Sequence, residues 1–185
     1  MRIYDLYESP QGEILLAATG AGLSGVYFSG QKYFPGGESG WRRDDKNPLL
    51  RQAKQELAEY FAGVRRRFEV ALDPSGTPFQ RAIWNAISGV AYGETISYGE
   101  LARRAGAAGR ARAAGAATGR NPIGIIVPCH RIVGANGSLT GYAGGLERKR
   151  ALLALEAGEL PLAGLGAVAT KAGSVRAARA PLQSC

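Results

Sequence analysis

The sequence holds one histidine, one methionine, two tryptophans and two cysteines in 185 residues. Cysteines at 129 and 185 make no disulfide framework. A structural zinc site needs about four Cys or His ligands, and one internal cysteine with one histidine does not supply them. No apolar run approaches the roughly 20 residues that cross a bilayer. The opening MRIYDLYESPQGEILLAA lacks a basic segment followed by an apolar one, so no export signal and no membrane role are expected. The cytoplasm is the expected setting. Acid is missing from one long stretch: between Leu101 and Leu146 there is no Asp or Glu, while Arg103, Arg104, Arg110, Arg112, Arg120 and Arg131 all fall there.

The net charge of +8 therefore belongs to one half of the chain. Residues 1–76 carry ten basic and ten acidic side chains, and residues 77–185 carry thirteen and five. Such a stretch sets up a positive field that attracts polyanions. A solvated basic face with no ligand is the plain alternative.

What is present reads as two unlike halves. IYDLYE, EILLAAT and LSGVYF are short, partly alternating runs separated by SPQG and GAG, which predicts three strands. Residues 30–46 are rich in Gly, Pro and charge and read as a loop. Asn47 and Pro48 open a helix whose Leu50, Ala53, Leu57 and Phe61 recur at helical spacing before Gly63. RRRFEVALD reads as one more strand, and DPSGTP as the link to the second half. There, Thr77 and Pro78 open a helix with Phe79, Ile83, Trp84 and Ile87 on its buried side, broken by GVAYGET. Ser97 and Glu100 have capping-box spacing at the start of YGELARRAG, and AGAAG leads into RARAAGAATG. Two short helices about a small-residue turn read as a helix-turn-helix. NPIGIIVP predicts a turn and then a buried extended segment from Ile123 to Val127. A Gly-rich loop, GANGSLTGYAGG, precedes a last helix from about Leu146 to Ala157. The expected class is α+β, with an α/β domain over 1–76, a mostly helical domain over 77–162, and a disordered basic tail over 163–185.

Cys129 and His130 are the residues most suited to chemistry. A thiolate is a strong nucleophile, and its pKa falls near cations, so His130, Arg131 and the acid-free surroundings favour it. An inert core cysteine is the competing reading. On a strand the two side chains would point to opposite faces, but Pro128 favours a turn or a helix start. Even then His130 reaches the thiol through a water, and a carboxylate on its other nitrogen would set its tautomer. Glu156 is the favoured partner among Glu94, Glu100, Glu147, Glu156 and Glu159; an exposed helix-end charge is the alternative. RARAAGAATG offers almost no side chain for reading base edges. Its Ala/Gly face suits close approach to a backbone in a minor groove, with Arg112 free to enter the duplex. A plain Ala-rich core helix is the alternative, opposed by the arginines at 110 and 112.

The segments TPFQRAIWNAI, ISYGELA, ARAAGAA, NPIGIIVPCHR and GSLTGYAGGLERKRALLALE closely resemble the O6-alkylguanine-DNA alkyltransferases, continuously over about residues 77–160. Residues 1–76 are similar to the family's N-terminal, ribonuclease H-like domain, and the second half to its winged helix-turn-helix-like domain. The resemblance implies a monomeric DNA repair protein that docks in the minor groove of double-stranded DNA. It would flip O6-alkylguanine, or O4-alkylthymine, into a pocket, and move the alkyl group irreversibly to Cys129 in a single turnover. By resemblance His130 and Glu156 relay the thiol proton, and Asn121 holds the turn before the cysteine. Tyr98 helps rotate the nucleotide, Tyr142 walls the pocket, Ala143 stands where some relatives have serine, and Lys149 lines the site. Arg112 fills the gap left by the flipped base, with Arg110, Ala113, Gly115 and Arg120 as further DNA-binding positions. The same resemblance implies no cofactor and no metal. A cysteine hydrolase that turns over small esters, and a DNA-binding regulator without chemistry, remain the rival readings.

Overall fold

A computed structural model describes residues 2–35 and 40–159; the tail expected over 163–185 lies outside them. The three expected strands form an antiparallel meander, β1 (Ile3–Ser9), β2 (Gly12–Ala18) and β3 (Leu23–Phe28). β2 is the middle strand of the three and is buried from Ile14 to Ala18. A two-residue strand, β4 (Arg42–Arg43), adds in parallel to β1, so the sheet order is β3-β2-β1-β4. It lies within the stretch read as loop. Buried Asp5 of β1 accounts for it, because its carboxylate accepts from Arg43 Nε at 3.1 Å and from Lys54 of α1 (Pro48–Phe61). α1 opens as its sequence predicts: the Asn47 side chain accepts from the N–H groups of Leu49 and Leu50.

RRRFEVALD is not a strand. Its backbone is satisfied by side chains instead of a ladder: the Glu56 carboxylate accepts from the N–H groups of Glu69 and Val70 at 2.8 and 3.3 Å. Arg65 folds back onto Glu59 at 2.7 Å. Only its end touches the sheet, where Leu23 and Leu72 make a single bridge. A period-2 pattern cannot distinguish these outcomes, since buried Glu56 lies on another element.

In the second half, α2 (Pro78–Ser88) begins with a complete capping box between Thr77 and Gln80. The box expected at Ser97 and Glu100 is only half made. Ser97 Oγ accepts from the Glu100 N–H at 3.2 Å, but the Glu100 carboxylate turns to Arg103 and Arg104, whose charges bind it better than a backbone N–H. α3 (Tyr98–Arg104) and α4 (Ala111–Gly119) form the helix-turn-helix, and Trp84 Nε1–H of α2 donates to Ala117 O of α4 at 2.9 Å. β5 (Ile96–Ser97) pairs in parallel with β6 (Ile132–Val133), and α5 (Leu146–Glu156) closes the described chain.

One buried core runs through both halves, from Ile14, Leu16 and Leu57 to Ile83, Leu101, Ile123 and Leu152. β3 is the seam. Its Val26 donates to Pro122 O at 2.8 Å and accepts from Gly124 N–H at 3.2 Å. This covers a sheet edge and fixes the segment leading to Cys129 against the sheet.

Candidate active site

After α4 the chain enters a buried turn, in place of the extended segment expected from Ile123 to Val127. Val127 N–H donates to Ile123 O at 2.9 Å, and Ile126 N–H to Gly124 O at 2.8 Å. Asn121 ties the turn from inside: its Oδ1 accepts from Ile123 N–H at 3.0 Å and its Nδ2 donates to Val127 O at 2.8 Å. These bonds replace a strand ladder and leave Ile125 at φ +70°, a conformation that a β-branched residue takes only under constraint. Pro128 follows, and Cys129–Arg131 make one turn of 3-10 helix. The turn expected after the proline is present, so Cys129 and His130 do not alternate across a strand.

Cys129 is 7% exposed. Burial pushes its thiol above the ordinary value, against smaller downward pulls from the Asn121 amide and the Lys149 charge. The expectation of a ready thiolate is therefore corrected: Cys129 rests as a thiol at neutral pH. Arg131, the cation two residues on, is bound elsewhere.

It is bound to Glu156, together with three other donors. Oε1 accepts from His130 Nε2 at 2.7 Å, Tyr60 O–H at 2.7 Å and Arg131 Nη2 at 2.9 Å. Oε2 accepts from Arg131 Nε at 2.8 Å and Gly93 N–H at 3.0 Å. Burial alone would raise the Glu156 carboxyl, but the hydrogen bonds from His130 and Arg131 outweigh it and hold the group far below the usual carboxylate range. A carboxylate only accepts, so the His130 proton is on Nε2 and its lone pair on Nδ1. Nδ1 is buried and has no hydrogen-bond partner among the described residues. Burial lowers the His130 pKa against the opposing pull of Glu156, which keeps the ring neutral. The arrangement is a buried thiol beside a neutral imidazole whose basic nitrogen is free.

The sequence pointed to His130 and Glu156 and missed their neighbours. Tyr60 lies on the apolar stripe of α1 and reads as core, and nothing in a single sequence links it to a residue 96 positions away. Arg131 left a usable signal. An arginine between two apolar segments must find a carboxylate if buried, and few acids were on offer.

The other expected residues fall on two sides of this centre. Tyr98 is half-buried, and its O–H donates to Thr140 O at 3.1 Å, so it already holds the Gly-rich loop. Tyr142 and Ala143 lie half-buried on that loop, where Ala143 O accepts from Lys32 N–H at 3.0 Å. Lys149 is fully buried beneath it. Its ammonium donates to Ile132 O and Thr140 O at 2.5 and 2.8 Å, and burial lowers its pKa to about 8. Arg112 is exposed on α4, and Ala113 and Gly115 are half-buried, with Gly115 facing the Tyr98 ring. Arg110 lies over the Phe79 ring at 4.8 Å, and Arg120 over Tyr33 at 4.0 Å. A cleft of about 610 Å³ is lined by Arg66, Tyr92, Ile126, Pro128 and Arg131 but not by Cys129.

Residues 78–158 match the family described as the DNA binding domain of 6-O-methylguanine DNA methyltransferase, and residues 3–74 match its ribonuclease-like domain. The chain belongs to the 6-O-methylguanine DNA methyltransferase family. It is 49% identical over 154 residues to the methylated-DNA–protein-cysteine methyltransferase of Methanosarcina acetivorans, covering 83% of this chain and 97% of the relative. It is 48% identical over 158 residues to that of Mycobacterium bovis, covering 85% and 94%. A crystal structure of Mycobacterium tuberculosis OGT in complex with DNA superposes with a TM-score of 0.80 at 46% identity, over 86% of this chain and 95% of that one. For a member of this methyltransferase family the α+β class, the helix-turn-helix and the DNA-binding half now stand as findings. No helix of the described residues is long and apolar enough to cross a membrane.

Proposed function

We propose that this protein repairs alkylated DNA by moving the alkyl group from O6 of guanine, or O4 of thymine, to Sγ of its own Cys129. The observation that carries the reading is Cys129 directly before a buried His130 whose Nε2–H is held by Glu156 and whose Nδ1 has no partner among the described residues. A thiol with a raised pKa needs a base at the moment of attack, and Nδ1 is the base on offer, acting through a water. Sγ attacks the alkyl carbon, the C–S bond forms and the C–O6 bond breaks. The thiol proton passes to His130 Nδ1 through the water, O6 keeps the electron pair of the broken bond, and the base takes a proton from Tyr98, whose phenolate is reprotonated from solvent, so that neutral guanine is released. The thioether has no easy leaving path, so each chain acts once.

The relative crystallised in complex with DNA supports DNA as partner; the reading takes that DNA as a duplex, with α4 as the element that would dock. Its exposed Arg112 would fill the space left by an extruded nucleotide, at an unstacking cost of a few kcal/mol. Its Ala/Gly surface fits a minor groove, with Arg110, Ala113, Gly115 and Arg120 alongside. Tyr142, Ala143 and the Thr140 segment fixed by Lys149 would shape the base pocket, and Asn121 would aim the Cys129 turn. The reading assigns residues 1–76 to a supporting domain, 77–162 to the reactive one and a monomer acting in the cytoplasm.

The test is intact-mass analysis after exposure to a duplex holding one O6-methylguanine. One methyl group per chain, on Cys129, is expected, and Cys129→Ala should take none while binding the duplex within about threefold of the parent. Release of more than one equivalent of demethylated product per chain would end the single-turnover reading and favour a hydrolase.

A further inference from the structure

We infer that Tyr60, from the sheet-bearing half of the chain, is a positioning residue of the Cys129 reaction: its hydroxyl tunes the Glu156–His130 couple. The inference rests on the proposed alkyl transfer and adds a group from α1 to it.

Among the described residues the geometry leaves the hydroxyl one acceptor. Tyr60 is fully buried, and its O–H donates to Glu156 Oε1 at 2.7 Å. It also lies 3.5 Å from His130 Nε2. Nε2 carries a proton and offers no lone pair, so the phenol proton goes to the carboxylate. Tyr60 and His130 therefore share one oxygen. Each additional donor on Oε1 draws charge from it and weakens the support it gives to a protonated His130. The phenol so keeps His130 neutral, with the Nδ1 lone pair available, and holds Oε1 in line with Nε2.

The ring is held for this purpose from three sides. Phe61 meets it edge-on at 5.5 Å, Phe68 lies tilted at 5.5 Å, and Tyr92 meets it edge-on at 6.2 Å. Phenol burial alone does not demand a carboxylate partner; a backbone carbonyl would satisfy it. The charged groups facing His130 are Glu156 and Lys149 of α5 and its neighbour Arg131, with Cys129 adjacent and Tyr60 on α1. Arg131 remains bonded to both Glu156 oxygens when the phenol is lost, so the effect of Tyr60 is read as a shift of an intact centre.

The experiment uses the full chain and single-turnover alkyl transfer from an O6-methylguanine duplex, followed across pH. For Tyr60→Phe the rate at pH 7 should fall about threefold or more, because a larger share of His130 is then protonated and Oε1 is no longer held in line with Nε2. DNA affinity should stay within about twofold. The acid limb of the rate profile should move to higher pH, because His130 then holds its proton more tightly. Incorporation of 3,5-difluorotyrosine at position 60 makes a stronger donor and should move the limb to lower pH; it carries the test if Tyr60→Phe does not fold. A profile that is unmoved in both Tyr60 variants, with the parent transferring normally, overturns the role of Tyr60. A parent chain that takes no methyl group overturns the alkyl-transfer reading instead.

Discussion

Glu156 shows how far a single side chain depends on its surroundings. Near the end of a helix with Gly158 two residues on, it is the favoured partner of His130 but reads equally as a solvated charge, and its sequence neighbours are a leucine and alanines. In the fold it takes bonds from Tyr60, Gly93, His130 and Arg131 and lies buried. Such a carboxylate stays ionised because the donors outweigh its lost hydration. Lys149 is the opposite case. Its pKa in the folded chain is about 8, against 10.5 as the ordinary value. Between those pH values the unfolded chain binds the proton and the folded chain does not. The stability contributed by Lys149 is therefore lowest below pH 8 and rises with pH across that window. Urea unfolding of the parent and of Lys149→Met across pH 7.5–10.5 measures this. The parent should gain stability relative to the variant as pH rises. A constant difference would mean that Lys149 keeps its proton in the folded state.

At the scale of elements, small residues decide what can approach what. A Cβ on Gly115 of α4 would lie 3.5 Å from the Tyr98 ring, an ordinary contact. Gly115→Ala should therefore raise stability by about 0.5–1 kcal/mol through helix propensity. A Cβ on Gly144, in the loop beside Tyr142, would meet that ring at 2.8 Å and Phe28 at 3.1 Å. Gly144→Ala should lower stability, and chemical unfolding of the pair reads both signs. A loss in Gly115→Ala would show that the Tyr98 ring has no room to yield. Helix starts were legible for local reasons: Asn47-Pro48 and Thr77-Pro78 act within one turn of chain. RRRFEVALD and Ile123–Val127 were misread because their backbone partners, Glu56 and Asn121, are side chains. A periodicity argument counts apolar positions and has no place for such bonds.

On the scale of the whole molecule, the basic excess and the domain seam act together. All of the +8 lies in residues 77–185, and α4 presents Arg112 there. Affinity for an undamaged duplex should fall steeply with salt, each phosphate contact adding about 0.9 to the slope of log affinity against log salt. A fluorescence titration between 50 and 200 mM salt measures it. A flat response would mean that the basic excess takes no part in binding. The seam has a different role. Val26 of β3 pairs with the Pro122–Gly124 segment, and Tyr60 of α1 reaches Glu156 of α5. The sheet half thereby backs both the turn that presents Cys129 and the couple beside it.

The sequence by itself determined the strand meander, the helix starts, the helix-turn-helix, the basic half and the Cys129–His130 pair, because each is written in near neighbours. Only the tertiary structure decided the protonation of Cys129, the burial and partners of Glu156, and the entry of Tyr60. Those depend on desolvation and on contacts between segments dozens of residues apart, and a chain read one window at a time holds neither.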